Sequence, residues 1–189
     1  MKKGRLWIAP LMPPEETQAW VTVADWAQAQ PFGAHRRQEF LSWRALLSRE
    51  LGAVVTIRYD ALGAPQLVDY PGFISVSHSA THVAVCWSES RCAVDIESLS
   101  RRFSKVKSRY MTPVEALLSE DPRLAAVVWS AKECLYKISG QEGLDLLCDL
   151  HVDAVDFEHS VICGRIRQEA SIEMDFSFFD GDIVVSILS

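Results

Sequence analysis

Hydrophobic and polar positions divide the chain into two texture changes, each from helix to strand. Two helical stretches come first, about Pro14 to Gln30 and about Arg36 to Leu51. In the second, Phe40, Leu41, Ala45, Leu47 and Leu51 keep helical spacing and Gly52 marks the stop. Short alternating or apolar runs follow at Phe73–Val76, His82–Trp87 and Cys92–Glu97, with Ser88 to Arg91 reading as a hairpin turn. Helical texture returns at about Ser104 to Leu118 and about Pro122 to Ser139. For the latter, Asp121 is the expected N-cap, Pro122 suits the first turn and Gly140 follows the end. The last third reads as strands near Leu150–Phe157, Val161–Arg167, Ser171–Phe179 and Ile183–Leu188, the final pair joined by Asp180-Gly181.

Helices then strands, repeated twice, predict an α+β chain of two pseudo-symmetric α/β halves, with the break near residues 98–104. The expected units are residues 1–98 and 99–189, with a site in the cleft between them. At 189 residues the chain is long enough for a real core without staples. Apolar residues at 49% and charged residues at 23% exclude intrinsic disorder.

With 19 basic and 25 acidic residues the net charge is −6, which argues against duplex-DNA binding. No apolar run reaches the ~18 residues of a membrane span, and Leu6 to Pro10 is too short for a signal-peptide core. Cys86, Cys92, Cys134, Cys148 and Cys163 are scattered without a C-x-x-C pair. Reduced thiols in the cytoplasm are therefore expected, and zinc is not.

Four groups of residues could carry chemistry. Asp95 and Glu97 are two apart on a strand, so they share a face while Val94 and Ile96 face the core. Adjacent carboxylates suit a hard divalent cation, although a solvated strand end would look the same. On the helix ending at Ser139, Leu124, Val127, Val128, Ala131, Leu135 and Ile138 form the apolar stripe. Trp129, Glu133, Tyr136 and Lys137 lie off that stripe, and Glu133–Lys137 alone reads equally as a surface ion pair. Ser77-His78-Ser79 ends a β run and could hold phosphate oxygens or simply form a polar turn. Finally, Arg101, Arg102, Lys105, Lys107 and Arg109 form an acid-free basic run, and His35-Arg36-Arg37 a smaller basic knot. Either is a solvated face or a phosphate or acidic-partner site.

Taken in order, Gly63-Ala64-Pro65, Ser77-His78-Ser79, Asp95-Ile96-Glu97 and Trp129-Ser130-Ala131-Lys132-Glu133 followed by Lys137 resemble the 4′-phosphopantetheinyl transferases. The resemblance is to their two-halved type, which activates surfactin synthetase, and spans about residues 36–139. It implies transfer of the phosphopantetheine arm of coenzyme A to a serine of an acyl or peptidyl carrier protein, leaving adenosine 3′,5′-bisphosphate. By that analogy Asp95, Glu97 and Glu133 hold Mg²⁺, with Mn²⁺ also suited to oxygen ligands. Lys137 pairs with phosphate oxygens, His78 and Ser77 contact the nucleotide phosphates, and Gly63 to Pro65 lie against adenine. Lys132 reaches phosphate or carrier protein, and Glu133, or Glu97 through a water, is the base. The basic run suits an acidic carrier helix, and a two-halved chain is expected to act as a monomer.

The family often has Gly-Lys-Pro where this chain has Ala64, so Arg36 or Arg37 would supply the missing charge. Ala93 stands where glycine usually precedes the D-x-E, and Ala80 where Ser-Gly is common. The alternatives are a non-catalytic module that binds coenzyme A or carrier protein, and another metal-dependent phosphotransferase or hydrolase. The last lacks a G-x-x-x-x-G-K-[ST] loop.

Overall fold

A computed structural model describes residues 4–188. The first helical stretch is broken rather than continuous: α1 (Pro14–Thr17), a 3₁₀ turn (Gln18–Trp20), then α2 (Val23–Ala29). The break is a capping event. Thr22 adopts an extended conformation, its hydroxyl oxygen accepts from the Asp25 amide at 3.0 Å, and its hydroxyl donates to the Asp25 carboxylate at 2.6 Å. This restarts the helix. α3 (Ala34–Leu51) is closed by Gly52 at φ 75°, a left-handed C-cap that glycine adopts without a Cβ penalty.

Ten consecutive residues of α3, Glu39 to Ser48, are buried, so the helix is enclosed on all sides instead of presenting one apolar stripe. Its polar members are paired accordingly. Ser42 Oγ accepts from the Met12 amide at 2.8 Å, and Arg44 binds Asp25 at 2.9 Å and the Tyr59 hydroxyl at 2.7 Å.

Two antiparallel sheets dominate. β1 (Arg5–Pro10), β5 (His82–Ser88) and β4 (Phe73–His78) form one in the order β1-β5-β4. β6 (Ala93–Ser98), β10 (Asp182–Ile187), β9 (Ile172–Phe179), β8 (Val161–Ile166) and β7 (Leu150–Asp156) form the other in that order. A small hairpin pairs β2 (Ile57–Tyr59) with β3 (Pro65–Leu67). The β9–β10 turn has positive φ at both Asp180 (48°) and Gly181 (81°), which suits a tight hairpin. β6 precedes the expected boundary at residue 98, yet its hydrogen-bonded neighbour is β10, from Ala93↔Ile187 to Ser98↔Asp182.

The segment expected to be helical over 104–118 holds three 3₁₀ turns instead: Phe103–Lys105, Lys107–Arg109 and Glu115–Leu117. Phe103, Tyr110 and Glu115 are buried, while the five basic residues of the run are exposed. Packing anchors, spaced irregularly, hold this stretch where a helix would crowd five like charges. α4 (Leu124–Ser139) follows, closed by Gly140 at φ 60°. Its N-cap is Arg123 rather than Asp121, which instead accepts from the Arg123 amide at 2.8 Å.

The core has three parts. α3 packs on one face of the β1-β5-β4 sheet through Phe40, Leu47, Val83 and Val85. α4 packs on the five-stranded sheet through Val127, Ala131, Leu135, Ile183 and Val185. Between the sheets, Ala84 and Cys86 of β5 meet Val94, Ile96 and Val184. Alternate residues of β5 thus serve different cores, as the two-residue strand period requires.

β4 and β6 lie side by side without pairing as strands. Serine hydroxyls bridge them: Ser75 Oγ accepts from the Val94 amide at 3.2 Å, and Ser77 Oγ donates to Asp95 Oδ1 at 2.9 Å. The cleft opens along this seam. All five cysteines are free thiols. Among the described residues no helix is long and apolar enough to cross a membrane.

Candidate active site

On α4, Trp129, Glu133 and Lys137 recur every four residues and so share one face. On β6, Asp95 and Glu97 share the face turned towards them. Two hydrogen bonds set the register of helix on strand. Trp129 Nε1 donates to Glu97 Oε1 at 2.8 Å, and Lys137 Nζ donates to Asp95 Oδ1 at 2.9 Å. Lys137 Nζ also donates to the Val94 carbonyl at 2.8 Å. Burial opposes the charge of this ammonium, but the carboxylate of Asp95, with Cys134 and Glu133, outweighs it and raises the Lys137 pKa.

The carboxylates are less well served. Asp95 is 4% exposed, and its Oδ2 is buried with no hydrogen-bond partner. An orphaned buried acceptor costs about 1–3 kcal/mol. Burial raises the Glu133 carboxyl above its ordinary range, and repulsion by Asp95 and Glu97 adds to it. Burial, then Asp95, does the same to Glu97, although Trp129 and Arg101 pull the other way. Arg101 donates to Glu97 and its guanidinium lies 4.6 Å from the Trp129 ring centroid.

Among the described residues, no three His, Cys, Asp or Glu side chains are arranged around one point as a metal site. Glu97 is turned towards Trp129 and Arg101. The chemistry of the donors nevertheless fits a hard cation: oxygen ligands only, burial and then mutual repulsion raising two of the carboxyls, and one buried oxygen without a partner.

A cavity of about 850 Å³ spans the seam. β4 contributes Ser77 and His78, the β2–β3 hairpin contributes Gly63 to Pro65, and α3 contributes Arg36. Asp95, Glu133 and Lys137 line it from β6 and α4. Gly63 has φ 78°, and Asp60 Oδ1 shapes the turn by accepting from the Leu62 and Ala64 amides at 2.9 Å each. Glu97 lines a smaller adjoining cavity of about 360 Å³, which His78 also borders.

Two expected residues are elsewhere. Arg37 turns back on its own half and donates to the carbonyls of Ala29 (3.2 Å), Gln30 (2.5 Å) and Phe32 (3.3 Å). It fastens the loop before α3, and Arg36 is the member of the basic knot that reaches the cavity. Lys132 is 0% exposed and faces the C-terminal core, not the cleft. Its Nζ binds Glu115 Oε1 at 2.8 Å and the Leu146 carbonyl at 2.7 Å. Glu115 also accepts from the amides of Thr112 (2.7 Å) and Val152 (2.9 Å). A buried ion pair of this kind positions a segment and is in no position to touch a ligand.

Sequence reasoning missed Glu39, Tyr59 and Asp60. Glu39 had a signal, since it stands four residues after His35 and three after Arg36 on one helix. Tyr59 and Asp60 had none, because their hairpin is too short to show a strand period.

No curated protein matches the chain. A family model does match part of it, over a stretch that takes in Asp95, Glu97, Glu133 and Lys137 but stops short of Ser77, His78 and Gly63 to Pro65. The matched model is that of the 4′-phosphopantetheinyl transferase superfamily, ACPS, over residues 91–184.

Proposed function

We propose that this chain transfers the 4′-phosphopantetheine arm of coenzyme A to a serine of an apo acyl or peptidyl carrier protein, with Mg²⁺, releasing adenosine 3′,5′-bisphosphate. The observation that carries this reading is a set of carboxylates with an orphaned oxygen sharing one cavity with the donors Arg36, Ser77, His78 and Lys137. It joins the superfamily match over residues 91–184.

In the transfer, the carrier serine oxygen forms a bond to the phosphorus that bears the pantetheine. The bond from that phosphorus to the bridging oxygen breaks, and the electron pair leaves on the bisphosphate. Asp95, Glu97 and Glu133 would hold Mg²⁺, which when bound supplies positive charge against the pyrophosphate oxygens. Lys137, raised in pKa and held by Asp95, keeps its ammonium at neutral pH and donates to the phosphate oxygens. His78, Ser77 and Arg36 serve the nucleotide phosphates, and the Gly63–Pro65 turn offers a flat neutral surface to the base. The serine proton passes to Glu133, or to Glu97 through a water.

The five exposed bases from Arg101 to Arg109 offer a landing surface to an acidic carrier face. We also infer the two-halved type, with units 1–98 and 99–189, pseudo-symmetric and complete as a monomer in the cytoplasm. Each half has one long helix over one antiparallel sheet. A non-catalytic coenzyme A- or carrier-binding module is the competing reading, favoured by Ala64 and by the placement of Arg37 and Lys132 away from the cavity. Incubation with coenzyme A, Mg²⁺ and several apo carriers decides between them. Carrier mass rising by one phosphopantetheine supports the transferase. Unchanged mass with coenzyme A bound supports the module.

A further inference from the structure

Glu39 has no part in the roles above, yet its carboxylate is closely engaged with the cavity's bases. Its side chain is 11% exposed and meets three bases. Glu39 Oε1 lies 3.1 Å from His35 Nε2 and 3.3 Å from His78 Nδ1, and Oε2 lies 3.1 Å from Arg36 NH1. A covered carboxylate persists only when paired, so Glu39 holds these groups in place and they hold it.

The consequence falls on His78. Glu39 Oε1, 3.3 Å from Nδ1, favours a proton on that nitrogen, so the neutral ring presents a bare Nε2, which faces Arg36 NH1 at 3.5 Å. A bare nitrogen accepts and cannot donate to a phosphate oxygen. With a second proton, both ring nitrogens donate, one to Glu39 and one outward. The charged groups around the ring are few. Burial opposes the imidazolium, Glu39 favours it, and Arg36 and His35 from α3 and Lys137 from α4 oppose it. Glu97 and Arg101 close the smaller cavity beside it. Without a ligand the opposing side prevails. An entering phosphate would add a second anion and reverse the balance.

We propose that Glu39 is a positioning residue: it aims His78 and Arg36 at the cavity and supplies the counter-charge with which His78 takes up a proton as a phosphate enters. This rests on the reading of the cavity as the coenzyme A site. In the proton step, Nε2 gains a proton from solvent and becomes a donor to a phosphate oxygen, while Nδ1 keeps its proton beside Glu39.

The test is titration calorimetry of the full chain with adenosine 3′,5′-bisphosphate, in buffers of differing ionisation enthalpy at neutral pH. Wild-type binding should take up protons. Glu39→Gln, which keeps the side-chain shape, should abolish that uptake and weaken binding about tenfold. In steady state its KM for coenzyme A should rise by a similar factor with the KM for carrier unchanged. In a His78→Ala background, Glu39→Gln should add little beyond its effect on Arg36. Binding without proton uptake in the wild type, an unaltered affinity in Glu39→Gln, or an equal rise in both KM values would overturn the proposal. If the wild type loads no carrier yet shows uptake that Glu39→Gln removes, the positioning role stands and the transfer reading falls.

Discussion

The two long helices each bury one cation and use it differently. Arg44 of α3 lies 3.4 Å from the Phe40 ring centroid and 4.1 Å from that of Trp43, pairs with Asp25 and donates to Tyr59. It fixes α2 and one wall of the cavity. Lys132 of α4 pairs with Glu115 and fixes the irregular segment before α4. Beyond these anchors the helices diverge. α3 brings Arg36 of its first turn, paired to Glu39 beside His78, and Trp43 further along. α4 brings its C-terminal half, with Glu133 and Lys137, onto Asp95. The cleft is electrically divided as a result: cationic donors predominate on the wall of α3 and β4, and carboxylates on the wall of β6 and α4. A ligand with phosphates needs the first, and a cation bridging phosphate to protein needs the second. Neither wall alone offers both.

Breaking the carboxylate wall should have the largest effect. Asp95→Ala and Glu133→Gln should each cut carrier loading by about 10³-fold or more, whereas His78→Ala should cost nearer tenfold. Rates read by carrier mass, with circular dichroism to verify folding, check this. Comparable losses from both walls would erase the division.

The buried cations come next. Lys132→Met should destabilise the fold by about 3–5 kcal/mol in urea unfolding, since Glu115 would be left charged and buried. The folded fraction should keep its KM for coenzyme A. A raised KM with unchanged stability would return Lys132 to the cleft.

A smaller effect is expected from pH. Glu97 and Glu133 have raised pKa values when folded, so the native state binds more protons than the unfolded one. Their contribution is therefore most favourable at low pH. It is lost as pH rises from about 4.3, the unfolded glutamate value, through the raised folded values. Urea midpoints of Glu133→Gln should fall less than wild type across that window, and Mg²⁺ should stabilise the wild type more at neutral than at acid pH. Identical profiles would mean the two carboxyls do not strain the fold.

The smallest change sharpens the other wall. Ala64→Lys adds an ammonium to the exposed hairpin and should lower the KM for coenzyme A about threefold, the scale of an exposed ion pair. No change would place the phosphates away from the hairpin.

Much of the frame was legible because strong periodicity and strong punctuation coincided. α4 with Gly140, α3 with Gly52 and the Asp180-Gly181 turn all lie where the sequence puts them. Segments whose conformation depends on distant partners were not. β1 is a strand because it pairs with β5, from Arg5↔Trp87 to Pro10↔His82, and its own residues are too few to declare it. The break at Thr22 competes locally with a helix that propensity would continue. Residues 103–117 follow their buried anchors Phe103, Tyr110 and Glu115. At the site, the D-x-E and W-S-x-K-E strings located the acids because strand and helix periods fix shared faces. The same periods could not show that Lys132, at the edge of the apolar stripe, finds Glu115 in the core, or that Arg37 caps a neighbouring loop.

Manganese binding followed by electron paramagnetic resonance tests the carboxylate wall most directly. In the presence of coenzyme A, the wild type should hold Mn²⁺ at a single site that Mg²⁺ displaces and Asp95→Ala abolishes. Undiminished Mn²⁺ binding by Asp95→Ala, or none by the wild type, would contradict the account.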